Sequence, residues 1–278
     1  MTAIAITGAS GLVGGSLARS LEADGFSVVR LGRRGADRRF ALDAALDPGL
    51  LDGVDALIHA AWDVHARTAA AHRANVRGSI ALFDLARVRG IRPMLFVSSM
   101  AAFPGCRSEH GRTKLEVEAA ATAMGGIAIR PGTLYGGGGG GLFRVLEDLV
   151  RRARILPLVG GSVKLPLLHM CDLNDLVGRL IRGEASVPPV ISAAYPELVA
   201  FAAVLRAIAG SLGRGVTLVP VPAGLAMAAL KLLEACGGAP RNGSDTLNSL
   251  LYANPAPELP AEVAGVRLRP FSVATPRQ

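Results

Sequence analysis

The sequence predicts an α/β fold in which a doubly wound parallel sheet carries a smaller C-terminal lobe. Three observations lead there. From the N-terminus to about Arg182, short apolar runs alternate with longer segments of helical period, the pattern of parallel strands joined by covering helices. The first apolar run passes directly into a glycine-rich turn and a helical segment. After Arg130-Pro131 the composition shifts to an unbroken glycine run, Gly136 to Gly141, and then to a stretch punctuated by prolines. With 278 residues, 50% of them hydrophobic, the chain has apolar material for one large domain and a small lobe.

In order, the strands are Ala3 to Ile6, Ser27 to Leu31, a weak Phe40 to Leu42, Ala56 to His59, Met94 to Ser98 and Ile127 to Arg130. Helices fall between them at Leu12 to Ala23, around Arg67 to Arg89, and at Thr113 to Ala123. Right-handed crossovers then give a Rossmann-like sheet. The position of the glycine run favours a mobile loop at the mouth of the substrate site; a plain flexible linker is the alternative. Leu167 to Arg182 reads as a strand and helix returning to the first domain, with Asp172 as helix cap. Ala223 to Cys236 reads as a helix packed in the lobe. The division is therefore 1–135 and 167–194 for the sheet domain, and 136–166 and 195–278 for the substrate lobe.

Charge and composition exclude several classes. The net charge is +8, but only three of the 30 basic residues are lysine and the arginines are scattered, with no nucleic-acid-binding signature among them; no nucleic-acid partner is expected. No uncharged apolar run approaches the ~20 residues of a membrane span, and the apolar first strand leaves no room for a signal segment, so a cytoplasmic protein is expected. Cys106, Cys171 and Cys236 lack metal or redox spacing and are expected as buried thiols. His59, His65, His72 and His169 show no ligand spacing either, so no metal site is expected and packed or surface histidines are the reading.

The chemistry concentrates in a few motifs. Thr7-Gly8-Ala9-Ser10-Gly11-Leu12-Val13-Gly14 follows a strand and opens a helix. In that setting glycines permit a tight turn and close approach to a pyrophosphate, and the helix N-terminus offers free N–H groups to the anion. Gly8, Ser10, Gly11, Leu12, Val13 and Gly14 are thus candidate cofactor contacts. After the second strand, where an NAD-specific domain usually places an acid, the chain has Gly32-Arg33-Arg34. Guanidinium matches a 2′-phosphate in shape and charge, which favours NADP over NAD; the bland alternative is two solvated loop arginines.

Further along, Val54-Asp55-Ala56-Leu57-Ile58-His59-Ala60-Ala61, Asn75-Val76-Arg77-Gly78, Phe96-Val97-Ser98-Ser99, Arg130-Pro131-Gly132-Thr133-Leu134-Tyr135-Gly136 and His169-Met170-Cys171-Asp172-Leu173 accumulate in a fixed order. Together with the glycine turn, they resemble the extended short-chain dehydrogenase/reductase superfamily, of the NAD-dependent epimerase/dehydratase type and the compact nucleotide-sugar kind, over residues 3 to about 182. The resemblance implies a hydroxyl/keto oxidoreductase or epimerase, a nucleotide-linked sugar or similar small molecule as substrate, and a two-fold homodimer. It places Ser99 (with Ser98 close behind) on the reacting oxygen, Lys114 on the nicotinamide ribose and Asn75 in a supporting network. It also puts Asp43, Ala60, Ala61 and Pro131 beside the cofactor. Trp62 would face nicotinamide or substrate, and Lys164 lies near the family's substrate-diphosphate arginine; core packing and a solvated surface are the respective alternatives.

One position departs from that family. Its proton-transfer pair is Y-x-x-x-K, and this chain has His110-Gly111-Arg112-Thr113-Lys114. Imidazole, with an ordinary pKa near 6.5, is a competent acid or base near neutrality, but it reaches less far than phenol, and Lys114 disfavours imidazolium. Two further readings therefore stand beside the enzyme: a non-catalytic NADP-binding sensor or scaffold, and a redox-neutral elimination, cyclisation or isomerisation of secondary metabolism.

Overall fold

The computed structural model describes residues 2–66, 68–136, 141–235 and 243–273. The chain begins β1 (Ala3–Thr7), α1 (Leu12–Ala23), β2 (Ser27–Gly32), β3 (Arg38–Arg39), β4 (Ala56–His59), α2 (Ala69–Val88), β5 (Met94–Val97), α3 (Glu109–Ala123) and β6 (Ile127–Pro131). It continues with β7 (Thr133–Tyr135), α4 (Gly141–Arg152), β8 (Ile155–Leu158), β9 (Lys164–Leu165), β10 (Leu167–His169), α5 (Met170–Arg182) and β11 (Val190–Ala193). The last part holds β12 (Val199–Ala200), α6 (Phe201–Ser211), β13 (Thr217–Pro220), α7 (Ala223–Ala235), α8 (Ser244–Leu251) and a small hairpin, β14 (Glu262–Val263) and β15 (Val266–Arg267).

The main sheet has seven strands in the order β11-β6-β5-β4-β1-β2-β3, all parallel. This is the doubly wound, Rossmann-like α/β architecture. Strand order reverses between β1 and β4, and in such sheets ligands sit beyond the carboxyl ends of the strands at that reversal. Alternation along β1 sorts the cores, as successive side chains of a strand must face opposite sides. Ile4 and Ile6 join Leu17, Leu173, Leu176 and Val177 on the α1/α5 face. Ala5 joins Leu82, Phe83, Val117 and Ala121 on the α2/α3 face. Every residue of β4 and β5 is buried, which is why both read as apolar runs, broken only by His59 at the end of β4. A third cluster gathers Tyr135, Phe143, Leu146, Val150, Leu156, Val204 and Ile208 around α4, β8 and α6.

Several expectations are corrected. The weak strand is Arg38–Arg39 rather than Phe40–Leu42: at the sheet edge the ladder residues face solvent, while Phe40, 4% exposed, drops into the core. Helix α3 begins four residues early, because the Ser108 hydroxyl accepts from Gly111 N–H and caps it; His110 is therefore in its first turn. β10 pairs with β7, and β11 is the strand that joins the main sheet, although α5 does pack in the first core. The cap of α5 is the His169 imidazole, accepting from Cys171 N–H; Asp172 instead accepts from Arg269 N–H and pairs with its guanidinium. Helix α7 exists, but Leu225, Leu232 and Leu233 are exposed and none of its described side chains is buried, so it is not packed in a core. Cys106 is buried as expected, Cys171 is exposed, and Cys236 lies outside the described residues. Val263, Val266 and Leu268 pack on the α1/α5 core. No helix among the described residues is long and apolar enough to cross a membrane.

Candidate active site

The glycine turn closes over the switch point. Gly8 has a left-handed φ of 68°, and a Cβ there would meet the Ala61 backbone at 2.9 Å, so only glycine lets the turn lie against the end of β4. At Gly14 a Cβ would meet Gly8 O at 2.4 Å; this glycine serves close helix–turn packing. Gly11 caps α1 with no side-chain hydrogen bond, and no acid occupies the first turn. The N-terminal N–H groups of α1 are thus left for an anion, as a dinucleotide pyrophosphate requires. Gly141 packs on Leu12 and Gly136 on the His169 ring, so both ends of the glycine run approach this region; residues 137–140 lie outside the described residues.

A buried hydrogen-bond chain fixes the floor. Ser79 O–H donates to Asn75 O at 2.6 Å, which spends its one proton. His59 Nε2 must then donate to Ser79 Oγ (2.8 Å), and Nδ1 accepts from Thr7 O–H (2.7 Å), an assignment made from the network. Thr7 Oγ1 in turn accepts from Ala60 N–H and Ala61 N–H at 3.1 and 3.0 Å. Burial, with Lys114 nearby, holds the His59 imidazole down to about 3. It is a packed, neutral histidine, as expected. Asn75 carries the bracing onward: its Oδ1 accepts from Asp63 N–H (2.9 Å) and its Nδ2 donates to Asp63 O (3.1 Å). The segment bearing Trp62 is thereby clamped.

Trp62, His110 and Lys114 meet above that floor. The Trp62 and His110 rings are edge to face, with centroids 6.0 Å apart. Lys114 Nζ lies 4.1 Å from the centre of Trp62 and 4.6 Å from that of Phe96, and donates to Val97 O at 2.7 Å. Burial pulls the Lys114 ammonium down to about 7, against the opposing pull of Glu118. His110 is lowered to about 4 by burial first, then by Lys114, with Asp245 pulling the other way and His72 adding to the fall. The imidazole is consequently neutral at physiological pH: the fall expected from Lys114 is present, and burial adds a larger one.

Ser98 and Ser99 separate clearly. Ser98 is buried, and its hydroxyl donates to the Glu118 carboxylate, which also takes two bonds from Arg130 Nε at 2.9 and 3.1 Å and one from Nη2 at 2.5 Å. Ser99 is half-buried, and its Oγ accepts from Ala101 N–H at 3.1 Å; among the described residues no acceptor takes its proton. Ala101 O packs where a Cβ on Gly111 would fall, 2.2 Å away, so the Ser99 turn abuts the first turn of α3.

Sequence reasoning missed Asp245. From α8, its carboxylate accepts from Glu109 N–H at 2.7 Å and His110 N–H at 3.1 Å, capping α3 from the far end of the chain; a lone Asp so distant in sequence gives no local signal. Pro131 holds the Ser99 turn, its carbonyl accepting from Met100 N–H. Arg33, Arg34 and Asp43 are exposed around the β2 and β3 ends. Lys164 is exposed on β9 and has no hydrogen bond to the Trp62–His110–Lys114 group. No cluster of His, Cys, Asp or Glu among the described residues could hold a metal.

Comparison with known proteins bears on the family and the fold. The sequence model of a family described as "NAD dependent epimerase/dehydratase family" matches residues 4–192. A ceramide reductase from Caulobacter vibrioides (strain NA1000 / CB15N) is 32% identical over 187 residues, 61% of this chain; the match spans only 57% of that protein's length. Among solved structures, MoeE5 in complex with UDP-glucuronic acid and NAD superposes with a TM-score of 0.67 at 20% identity, covering 80% of this chain and 86% of that one. The UDP-N-acetylglucosamine 4-epimerase from Bacillus cereus gives 0.65 at 18% identity, covering 80% and 86%. At such identities the structural matches bear on the fold.

Proposed function

The chain belongs to the NAD dependent epimerase/dehydratase family, of the extended short-chain dehydrogenase/reductase type, and we propose that it is an NADP-dependent oxidoreductase or epimerase-like enzyme acting on a hydroxyl/keto small molecule. The observation that carries the reading is the convergence of the uncapped α1 N-terminus with Trp62, His110 and Lys114 across Gly8 and Ala61. The dinucleotide-binding part would be residues 1–135 with 167–194, and the remainder would form the substrate lobe. Of the solved structures named above, MoeE5 holds UDP-glucuronic acid and the other is a UDP-N-acetylglucosamine 4-epimerase, which supports a nucleotide-linked sugar; the ceramide reductase supports a lipid.

The residues fit a dinucleotide. Gly8, Ser10, Gly11, Leu12, Val13 and Gly14 would cradle the pyrophosphate, with Arg33 and Arg34 at a 2′-phosphate and Asp43, Ala60, Ala61 and Pro131 along the groove. When bound, the nicotinamide would supply or take the hydride. Ser99 would donate a hydrogen bond to the reacting oxygen, and Trp62 would wall the pocket. Asn75 would act as a positioning residue through the Asp63 clamp. The neutral His110 would accept the hydroxyl proton in oxidation. In reduction the same proton would return from His110 to the carbonyl oxygen, and Lys114, at about 7, is the buried cation able to resupply His110 at neutral pH. Lys164 would reach only a distal substrate group.

The test is reduction of a keto substrate with NADPH. His110→Ala should lower kcat by about 10²- to 10⁴-fold with NADPH affinity unchanged, and the wild-type rate should fall as pH rises through about 7. NADPH turnover indifferent to His110→Ala would remove His110 from the chemistry.

A further inference from the structure

The C-terminal lobe has a groove of its own. Leu146 and Leu149 of α4, Leu156 and Leu158 of β8, Leu205 of α6 and Leu250 of α8 wall a cleft of ≈ 230 Å³ in which no lining side chain is polar or charged. A dry cavity of ~150 Å³ accepts a benzene ring, so this one has room for roughly eight to ten carbons by proportion. The mouth is at Leu149, 45% exposed. Helix α4 carries two apolar rows: Phe143, Leu146 and Val150 are buried, while Leu142, Val145 and Leu149 run exposed beside them toward the mouth. A surface helix ordinarily needs only the first. Past Leu149 the rim is cationic, with Arg152 and Arg154 exposed and in no ion pair among the described residues.

Helix α8 ties this groove to the candidate active site. Asp245, in its first turn, holds Glu109 N–H and His110 N–H, and Leu250, five residues on, lines the groove. That spacing is about 8 Å along the helix axis and about 140° around it, so the two lie on different sides of this two-turn helix. An extended amphiphile passing around α8 would join them. We propose that the groove between α4, β8, α6 and α8 binds the acyl chain of an amphiphilic substrate whose hydroxyl or keto end lies at Ser99 and His110. The cationic rim suits a substrate drawn from an anionic lipid surface. This deepens the oxidoreductase reading and rests on it for the head-group placement, but not for the binding of the chain.

Two measurements keep those apart. First, cis-parinaric acid is titrated by fluorescence into the full chain, with Leu149→Asp at the mouth, Leu205→Trp filling the groove, and Leu225→Asp on the exposed face of α7 as control. Expected is saturable binding weakened at least tenfold by Leu149→Asp and unchanged by Leu225→Asp, with NADPH affinity constant throughout. Leu149 is exposed, so its variant tests the groove even where Leu205→Trp fails to fold. Second, methyl 3-oxoalkanoates of increasing chain length are reduced with NADPH; kcat/KM should rise about three- to fourfold per methylene until the groove is full, and the rise should flatten in Leu149→Asp. Probe binding without turnover would sustain the groove and sink the oxidoreductase reading. Absent binding, equal weakening by Leu225→Asp, or a self-associated chain that Leu149→Asp dissociates would overturn the acyl-chain assignment.

Discussion

Replacing Lys114 with methionine separates the cost of a buried charge from the worth of its contacts. Burial lowers Lys114 from 10.5 to about 7, and each unit corresponds to ~1.36 kcal/mol, so the charged form costs the folded protein on the order of 5 kcal/mol once pH is below 7. The sign follows from proton counts. Between about 7 and 10.5 the unfolded chain binds a proton that the folded chain does not, so this group adds stability as pH rises and its penalty is complete below 7. Lys114→Met removes the penalty but orphans Val97 O, which now accepts from Nζ at 2.7 Å, at a cost of about 1–3 kcal/mol. At pH 6 the penalty outweighs the lost bond, and the apo variant should be more stable by roughly 2–4 kcal/mol. By pH 9.5 most of the penalty has gone from wild type, and the advantage should shrink by about 3 kcal/mol. Urea unfolding at pH 6, 7.5 and 9.5, with midpoint and slope compared, reads this directly. A stability difference independent of pH, or a variant weaker at pH 6, would refute a strained, depressed lysine.

Calorimetry should show NADP(H) binding at least tenfold, or ~1.4 kcal/mol, tighter than NAD(H), with the gap erased by combined Arg33→Ala and Arg34→Ala; a gap that survives would make both arginines ordinary surface residues. Gly11→Val should keep the circular dichroism of wild type and lose dinucleotide binding, because its new side chain enters the anion site from a helix cap with ordinary φ of −87°. Gly14→Ala should instead lower Tm, its Cβ falling 2.4 Å from Gly8 O; the reverse pattern would exchange their roles. Asp245→Asn should lower the His110 pKa further, since its carboxylate raises that group, and cost about 0.5–2 kcal/mol as a weakened helix cap. An NMR titration of His110 that moves upward would contradict the contact.

The alternation of strands and helices over the first 130 residues, the glycine turn and the family frame were legible because each is local: a period, a turn residue, a spacing. The helix bounds of α1 match to the residue, as its apolar face and flanking glycines imply. What was not legible depends on partners remote in sequence. Phe40 shifted from ladder to core because the neighbouring edge strand left a hole that only tertiary packing defines. Asp172 reads as a cap by position, yet Arg269 claims it across the fold. His110 resembles a near-neutral acid or base in isolation, whereas burial beside Lys114 and Trp62 decides its charge. Ser98 and Ser99, which the resemblance leaves close together, differ physically, since the Glu118–Arg130 pair occupies the Ser98 hydroxyl.

The buried chain from Thr7 through His59 and Ser79 has a consequence for proton supply. Its hydrogens all point one way and it ends on the Asn75 carbonyl, which has no proton to pass on and no neighbour to relay to. Carrying a proton through it would require three groups to reverse together and His59, held near 3, to become charged. The floor of the cleft is therefore an insulator. Protons must arrive from the solvent side, past His110 and Lys114, so whatever shields those two groups also sets how fast the site can recharge.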